Sequence, residues 1–158
     1  MEIRPTTIQD LPAINRVIDA AVMGWKLPER VKRLALPSYR YDAADIQHLS
    51  VQVIEMAADG IVAVAAWEAA DPRDTPGRQS GLLLHGLYVH PDVQQQGLGK
   101  RLLQEVKQAA LAGGYAGVLV KAQADAESFF AACGLQKLPV EDTVRHYAGR
   151  YWLATSCM

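Results

Sequence analysis

The chain has 158 residues, half of them hydrophobic and about a fifth charged, a size and mixture that suit one compact domain with a sizeable core. Sixteen basic against seventeen acidic residues leave a net charge of −1, which gives no general drive toward nucleic acid or an anionic membrane. The longest apolar runs, such as Ile61 to Trp67, are far too short to span a bilayer. Cys133 and Cys157 form neither a disulfide framework nor a zinc pattern, and MEIRPTTIQD carries no secretory leader pattern. The expectation is therefore a single cytoplasmic domain over residues 1–158, without metal, nucleic-acid or membrane partners.

Glu2 to Arg4 can form a short first strand. Thr7 can cap a helix whose apolar positions Ile8, Leu11, Ile14, Val17, Ile18 and Val22 recur at helical spacing. Residues 24–50 are interrupted by Pro28 and Pro37, and Asp42 to Leu49 reads as a short helix. Val51 to Met56 and Ile61 to Trp67 read as strands around the hairpin signal Ala58-Asp59-Gly60. Asp71 to Ser80 is a polar loop with two prolines and a glycine. Leu82 to Val89 is the next strand. A helix with Leu98, Leu102, Leu103, Val106 and Ala110 on one face follows and ends near Gly113-Gly114. Gly117 to Lys121 is a buried-strand pattern, Asp125 to Cys133 a short helix stopped by Gly134, and two more strands fit within Leu135 to Leu153. This order predicts a mixed α/β (α+β) domain with a largely antiparallel sheet, flanking helices and one parallel crossover.

The junction VHPDVQQQGLGKRLLQEV, residues 89–106, carries the functional signal. Glycine is the poorest ordinary helix former, and cations in a first turn oppose the helix macrodipole by about 0.3–1 kcal/mol each. A helix that opens with Gly97-Leu98-Gly99 followed by Lys100 and Arg101 accepts both costs at one point. An anion held by the unpaired first-turn amides would resolve the conflict; a tight turn with two solvated cations is the competing description. A dinucleotide fingerprint would need glycine where Leu102 stands. A P-loop would need glycine at Gln94 and Ser or Thr at Arg101, so both patterns fail.

The remaining pattern, Gln94-x-x-Gly97-x-Gly99 at a strand–turn–helix junction, resembles the hallmark of the GCN5-related N-acetyltransferase (GNAT) superfamily. The resemblance covers Leu82 to Leu135 best. It implies an N-acetyltransferase that moves an acetyl group from acetyl-CoA to a primary amine by direct attack on the thioester. The alternative is a non-catalytic acyl-CoA sensor of the same fold. It further implies that backbone amides from Gln95, Gln96, Gly97, Leu98 and Gly99 to Lys100 hold the CoA pyrophosphate, with Arg101 a nearby counter-ion. Leu87, Tyr88 and Val89 would run beside the pantetheine arm. Gly86, inside that strand, marks either a bulge or a packing accommodation. The family's N-x-x-A-x-x-F-Y-x-x-x-G-F stretch is matched here at Ala126, Phe129 and Gly134. Gln123 stands in place of the asparagine, Phe130 in place of the tyrosine and Leu135 in place of the final phenylalanine.

The resemblance also places His85 where many members carry a glutamate base; imidazole suits that task near neutral pH, and a half-buried structural histidine is the other description. Glu68 is the rival base. Val89 N–H would face the oxyanion. With Phe130 at the usual acid's position, Tyr147, Tyr151 or water would protonate the thiolate. His90 frames the turn, and His48 and His146 lack metal-like spacing. Trp25, Tyr39 and Tyr41 fall where the family builds its acceptor wall. Family members often dimerise, which leaves a homodimer open here.

Overall fold

The computed structural model describes all 158 residues. Strands are β1 (Glu2–Pro5), β2 (Ser50–Met56), β3 (Gly60–Ala69), β4 (Gly81–Val89), β5 (Gly117–Lys121), β6 (Gln136–Lys137) and β7 (Arg150–Ala154). Helices are α1 (Leu11–Met23), α2 (Glu29–Tyr39), α3 (Ala43–His48), α4 (Leu98–Ala112) and α5 (Glu127–Ala132). The strands form one seven-stranded sheet in the order β1-β2-β3-β4-β5-β7-β6. β4 and β5 are parallel, with Gly81 to Leu84 opposite Gly117 to Val120. The pairs β1–β2, β5–β7 and β6–β7 are antiparallel. This is the mixed, largely antiparallel sheet with one crossover that the order of sequence patterns predicts. No helix is long and apolar enough to cross a membrane.

By contact the chain divides into two compact units: Met1–Ala66 with Gly86–Leu102, and Trp67–His85 with Leu103–Met158. In the first unit, Ile14, Val17, Ile18 and Val22 of α1 bury their side chains with Val51, Val53, Val64 and Tyr88, as the helical spacing of α1 requires. Ile8 does not join them. It lies in a 3-10 turn ahead of the helix and is exposed, so the apolar period starts at Leu11. α2 departs further from expectation. Pro28 stands at its N-cap, where the missing N–H does little harm, and Pro37 lies inside its last turn, where it forgoes one intrahelical bond. Its buried face carries Lys32 and Leu36, while Val31 and Leu34 are exposed. Lys32 is accepted inside because its Nζ donates to the carbonyls of Met23, at 2.6 Å, and Trp25, at 3.1 Å. An ammonium thus meets the negative end of α1.

In the second unit β5 is buried along Gly117 to Val120, and Gly134, at φ +91°, follows α5. The two strands expected within residues 135–153 are β6 and β7, and the stretch between them, 138–149, is irregular. The polar stretch 71–80 folds as two 3-10 turns and buries Asp74 and Thr75.

Candidate active site

The first unit holds the strand–turn–helix junction. His90 N donates to Val62 O at 2.8 Å at the end of β4. The His90 Nδ1 then accepts from Asp92 N at 3.2 Å, so this histidine frames the turn as predicted. Val93 N bonds His90 O and Gln94 N bonds Pro91 O. The Gln94 side chain donates from Nε2 to Val89 O at 3.2 Å, fastening the turn to the strand end. The chain then passes through left-handed backbone at Gln95, φ +66°, and Gly97, φ +78°, a region that glycine enters without the steric penalty of a Cβ. The first α4 bond runs from Arg101 N to Gly97 O at 3.0 Å.

The amides of Gln95, Gln96, Gly97, Leu98, Gly99 and Lys100 donate to no backbone carbonyl and to no side chain. An N-cap Ser, Thr or Asp would have satisfied one of them, but Gly97 has no side chain to offer. A Cβ placed at Gly97 would meet nothing within 4 Å, so the turn faces open space. Leu98, buried beneath, anchors it, while Gln95, Gln96, Lys100 and Arg101 are exposed. Successive N–H groups without protein acceptors, with two exposed cations beside them, are donors of the kind that suit an anion.

A family model for an acetyltransferase (GNAT) domain matches residues 47–137, more than half of the chain and including this junction. The chain belongs to the GNAT acetyltransferase family. Solved structures agree in fold. A GNAT-family acetyltransferase from Desulfovibrio desulfuricans superposes with TM-score 0.68 at 18% identity, covering 98% of both chains. The PaiA N-acetyltransferase from Thermoplasma acidophilum, in complex with coenzyme A, gives TM-score 0.71 at 15% identity, covering 96% of this chain and 95% of that one. A GNAT acetyltransferase from Brucella melitensis, in complex with acetyl-CoA, gives 0.63 at 18%, with 97% and 86% covered. Among curated proteins, none matches the chain in sequence.

Within this GNAT domain, β4 continues from His85 to Val89 beyond its register with β5. His85 is exposed, Leu87 and Val89 are half-buried, and Tyr88 is buried in the first unit's core. Burial, with a further contribution from Tyr39, holds the Tyr88 phenol well above its ordinary value. Its side chain is therefore a core element, and only its backbone is available to a ligand. Gly86 turns out to be a close-approach position: a Cβ there would stand 2.5 Å from the Tyr41 hydroxyl and 2.6 Å from a Tyr88 ring carbon. The packing accommodation considered for Gly86 is thus what the strand shows.

The other expected site residues lie in the second unit. Gln123 Oε1 accepts from Asp125 N at 2.9 Å, capping the turn into α5. Phe130 is buried and meets Phe129 edge-on with ring centroids 5.1 Å apart. The Tyr147 hydroxyl donates to Ala122 O at 2.9 Å, and the Tyr151 hydroxyl donates to the Glu127 carboxylate at 3.0 Å. His146 is a structural hub: its Nδ1 lies 3.1 Å from Asp142 N and 3.0 Å from Arg150 Nη2. Both partners can only donate, so Nδ1 accepts, and Nε2 carries the proton toward Arg73 O at 3.0 Å. No cluster of His, Cys, Asp or Glu has the makings of a metal site.

Sequence reasoning missed two things here. One is the contact between Tyr41 and Gly86, for which the strand-interior glycine was the only sequence signal. The other is the ion-pair network around Asp74, which joins positions far apart in the chain.

Proposed function

We propose that the whole chain acts as one acetyl-CoA-dependent N-acetyltransferase domain, transferring the acetyl group to a primary amine. The observation that carries this reading is the set of unengaged amides from Gln95 to Lys100 around a glycine that opens on free space. The pyrophosphate of acetyl-CoA is the anion those donors suit, with Lys100 and Arg101 as counter-ions. The pantetheine arm lies along Leu87 to Val89, where β4 has run past its register with β5. His85, exposed on β4, takes the proton from the attacking ammonium, directly or through water, because an alkylamine with a pKa near about 10.4 arrives protonated. Val89 N–H faces the developing oxyanion.

Isothermal titration with acetyl-CoA tests the cofactor, and thiol release across a panel of primary amines tests the reaction. The expected result is binding that Gly97→Glu abolishes, since a carboxylate would project into the anion's place. Turnover should fall in His85→Ala with cofactor affinity kept. Undiminished binding by Gly97→Glu overturns the site. Binding without turnover on any amine would favour the acyl-CoA sensor, a reading supported by the buried phenylalanine at position 130.

A further inference from the structure

We propose that the cavity between α1 and the β2–β3 hairpin binds a free amino acid with a cationic side chain, and that its occupant strengthens cofactor binding at the neighbouring turn. The amino-acid site stands by itself; only the coupling rests on the acetyltransferase reading above. The cavity measures about 360 Å³, within the range of small-molecule sites, about 300–1,000 Å³, and its walls belong to the first unit alone. Ala13 and the buried Val17 of α1 give it an apolar side. Arg16, three residues from Ala13 and so on the same helix face, brings a cation to it, and Glu55 of β2 and Asp59 of the hairpin turn bring carboxylates. These charges do not close on one another. Arg4 donates to Asp10, also on the cavity wall, at 2.8 and 3.0 Å and to Glu55 at 3.2 Å, so one guanidinium serves two carboxylates. Arg16 and Asp59 are exposed and have no ion-pair partner. His90 adds no charge, because its Nδ1 accepts from Asp92 N. Three carboxylates against two guanidiniums leave one negative charge unmatched. A simple cation would meet Arg16, and a simple anion would meet Glu55 and Asp59. A carboxylate for Arg16 with two cationic groups for the hairpin acids matches them all, and that is an amino acid with a basic side chain.

His90 joins this cavity to the cofactor turn. Successive side chains of an extended strand alternate in direction. Tyr88 enters the core with α1, and His90 follows it to the cavity wall, while Leu87 and Val89 face the other way. The occupant is therefore an effector on the α1 side and not the acetyl acceptor. His90 N donates to Val62 O at 2.8 Å, tying the start of the turn to β3 just beyond the hairpin, and Val93 N donates to His90 O at 3.0 Å. An amino acid that bridges Arg16 to Glu55 and Asp59 braces α1 and the hairpin around His90. A turn held in this way loses less freedom on closing around a diphosphate, so filling either site raises the affinity of the other.

The test is calorimetry on the full chain with L-arginine and with agmatine, which is arginine without its carboxylate. L-Arginine should bind with a Kd of about 1 mM or tighter. Agmatine should bind about fivefold more weakly, the effect of one exposed charge pair. Arg16→Ala should erase that difference, and Asp59→Asn should weaken both ligands by a similar factor. Coenzyme A, which carries no acyl group to transfer, should bind about fivefold more tightly when L-arginine is saturating, and amide exchange from Asp92 to Gln96 should slow. In Arg16→Ala the gain should vanish while the affinity for coenzyme A alone stays that of the parent. A Kd for L-arginine weaker than about 1 mM overturns the proposal. Equal binding of agmatine by the parent overturns it too, as does a coenzyme A affinity indifferent to L-arginine. A parent that binds L-arginine but no coenzyme A would instead support the amino-acid site and overturn the acetyltransferase reading, the coupling with it.

Discussion

Two polar, glycine- and proline-bearing stretches of this chain look alike in composition and do opposite things. The turn from Pro91 to Lys100 leaves six consecutive amides without a protein acceptor. The stretch from Asp71 to Gln79 spends nearly every polar group on the second unit itself. Asp74, buried, receives Arg145 at 2.9 Å and Lys121 at 3.4 Å on its carboxylate, and Arg150 Nη1 at 2.6 Å on its carbonyl. Arg150 also reaches Pro139 O at 2.8 Å, and only its Nε is buried without a partner. Thr75 Oγ1 donates to Gln79 O at 2.6 Å. A loop whose donors and acceptors close on one another is a strut; a loop whose donors are left over keeps them for a ligand in the function proposed above. The difference separates stability from binding and can be tested in those terms.

The largest effect belongs to the strut. Asp74→Ala leaves Arg145 and Lys121 without their buried counter-charge and removes a link between residues 71–79 and 138–150. Removing one partner of a buried ion pair costs about 3–5 kcal/mol. The low end applies here because Lys121 and Arg145 keep solvent access. Urea unfolding should show a midpoint shift of that size, while the acetyl-CoA affinity of the folded fraction stays within about threefold. A stability change below about 1 kcal/mol would show that Asp74 is not the keystone its partners make it.

An intermediate effect is expected where a turn closes on itself at the start of α1. Asp10 accepts from Thr7 N at 2.8 Å and from Arg4 through both carboxylate oxygens, at 2.8 and 3.0 Å. These bonds, the Arg4 pair foremost, hold its carboxyl far below the ordinary carboxylate range. The folded protein therefore keeps Asp10 ionised where the unfolded chain begins to take up a proton, near pH ~3.9. The stabilisation is complete above that pH and fades as pH falls below it. Asp10→Asn should lose about 1–2 kcal/mol at neutral pH and give a flatter stability profile between pH ~4 and ~2. A parallel profile, merely displaced, would remove Asp10 from the acid response.

These contrasts also mark what was legible beforehand. β5 and the end of α4 at Gly113-Gly114 follow from local pattern, because a buried run and a left-handed glycine, φ +71° at Gly114, act within a few residues. The turn's glycines were legible for the same reason. α2 was not, because Pro37 lies inside its last turn, where a proline ordinarily argues against a helix, and its inward charge, Lys32, is satisfied by carbonyls of a different segment. The two strands expected within Leu135 to Leu153 left the irregular stretch between them, residues 138–149, without bounds. In the fold Arg145 and His146 pin this stretch to Asp71, Arg73 and Asp74, and pairings across some seventy residues leave no mark in local spacing. His85 was singled out by the family resemblance, whereas the contact of Tyr41 with Gly86 needed coordinates.

The smallest effect bears most directly on the turn from Pro91 to Lys100. Lys100 and Arg101 stand in the first turn of α4, where the helix's own N–H dipoles oppose them, and both are exposed. If the turn were only a turn, replacing either with alanine would relieve a mild repulsion and change nothing else. If it grips a diphosphate, the same substitution separates the two properties. Lys100→Ala should raise the thermal stability of the unliganded protein by about 0.3–1 kcal/mol and weaken acetyl-CoA binding by about fivefold, the worth of one solvent-exposed charge contact near 1 kcal/mol. The affinity gap between parent and variant should shrink in high salt, because exposed charges are screened over a few ångströms there. Stability and affinity that fall together would mean that Lys100 props the helix rather than attracting a ligand. Opposite signs in one variant are what a cationic first turn kept for an anion must produce.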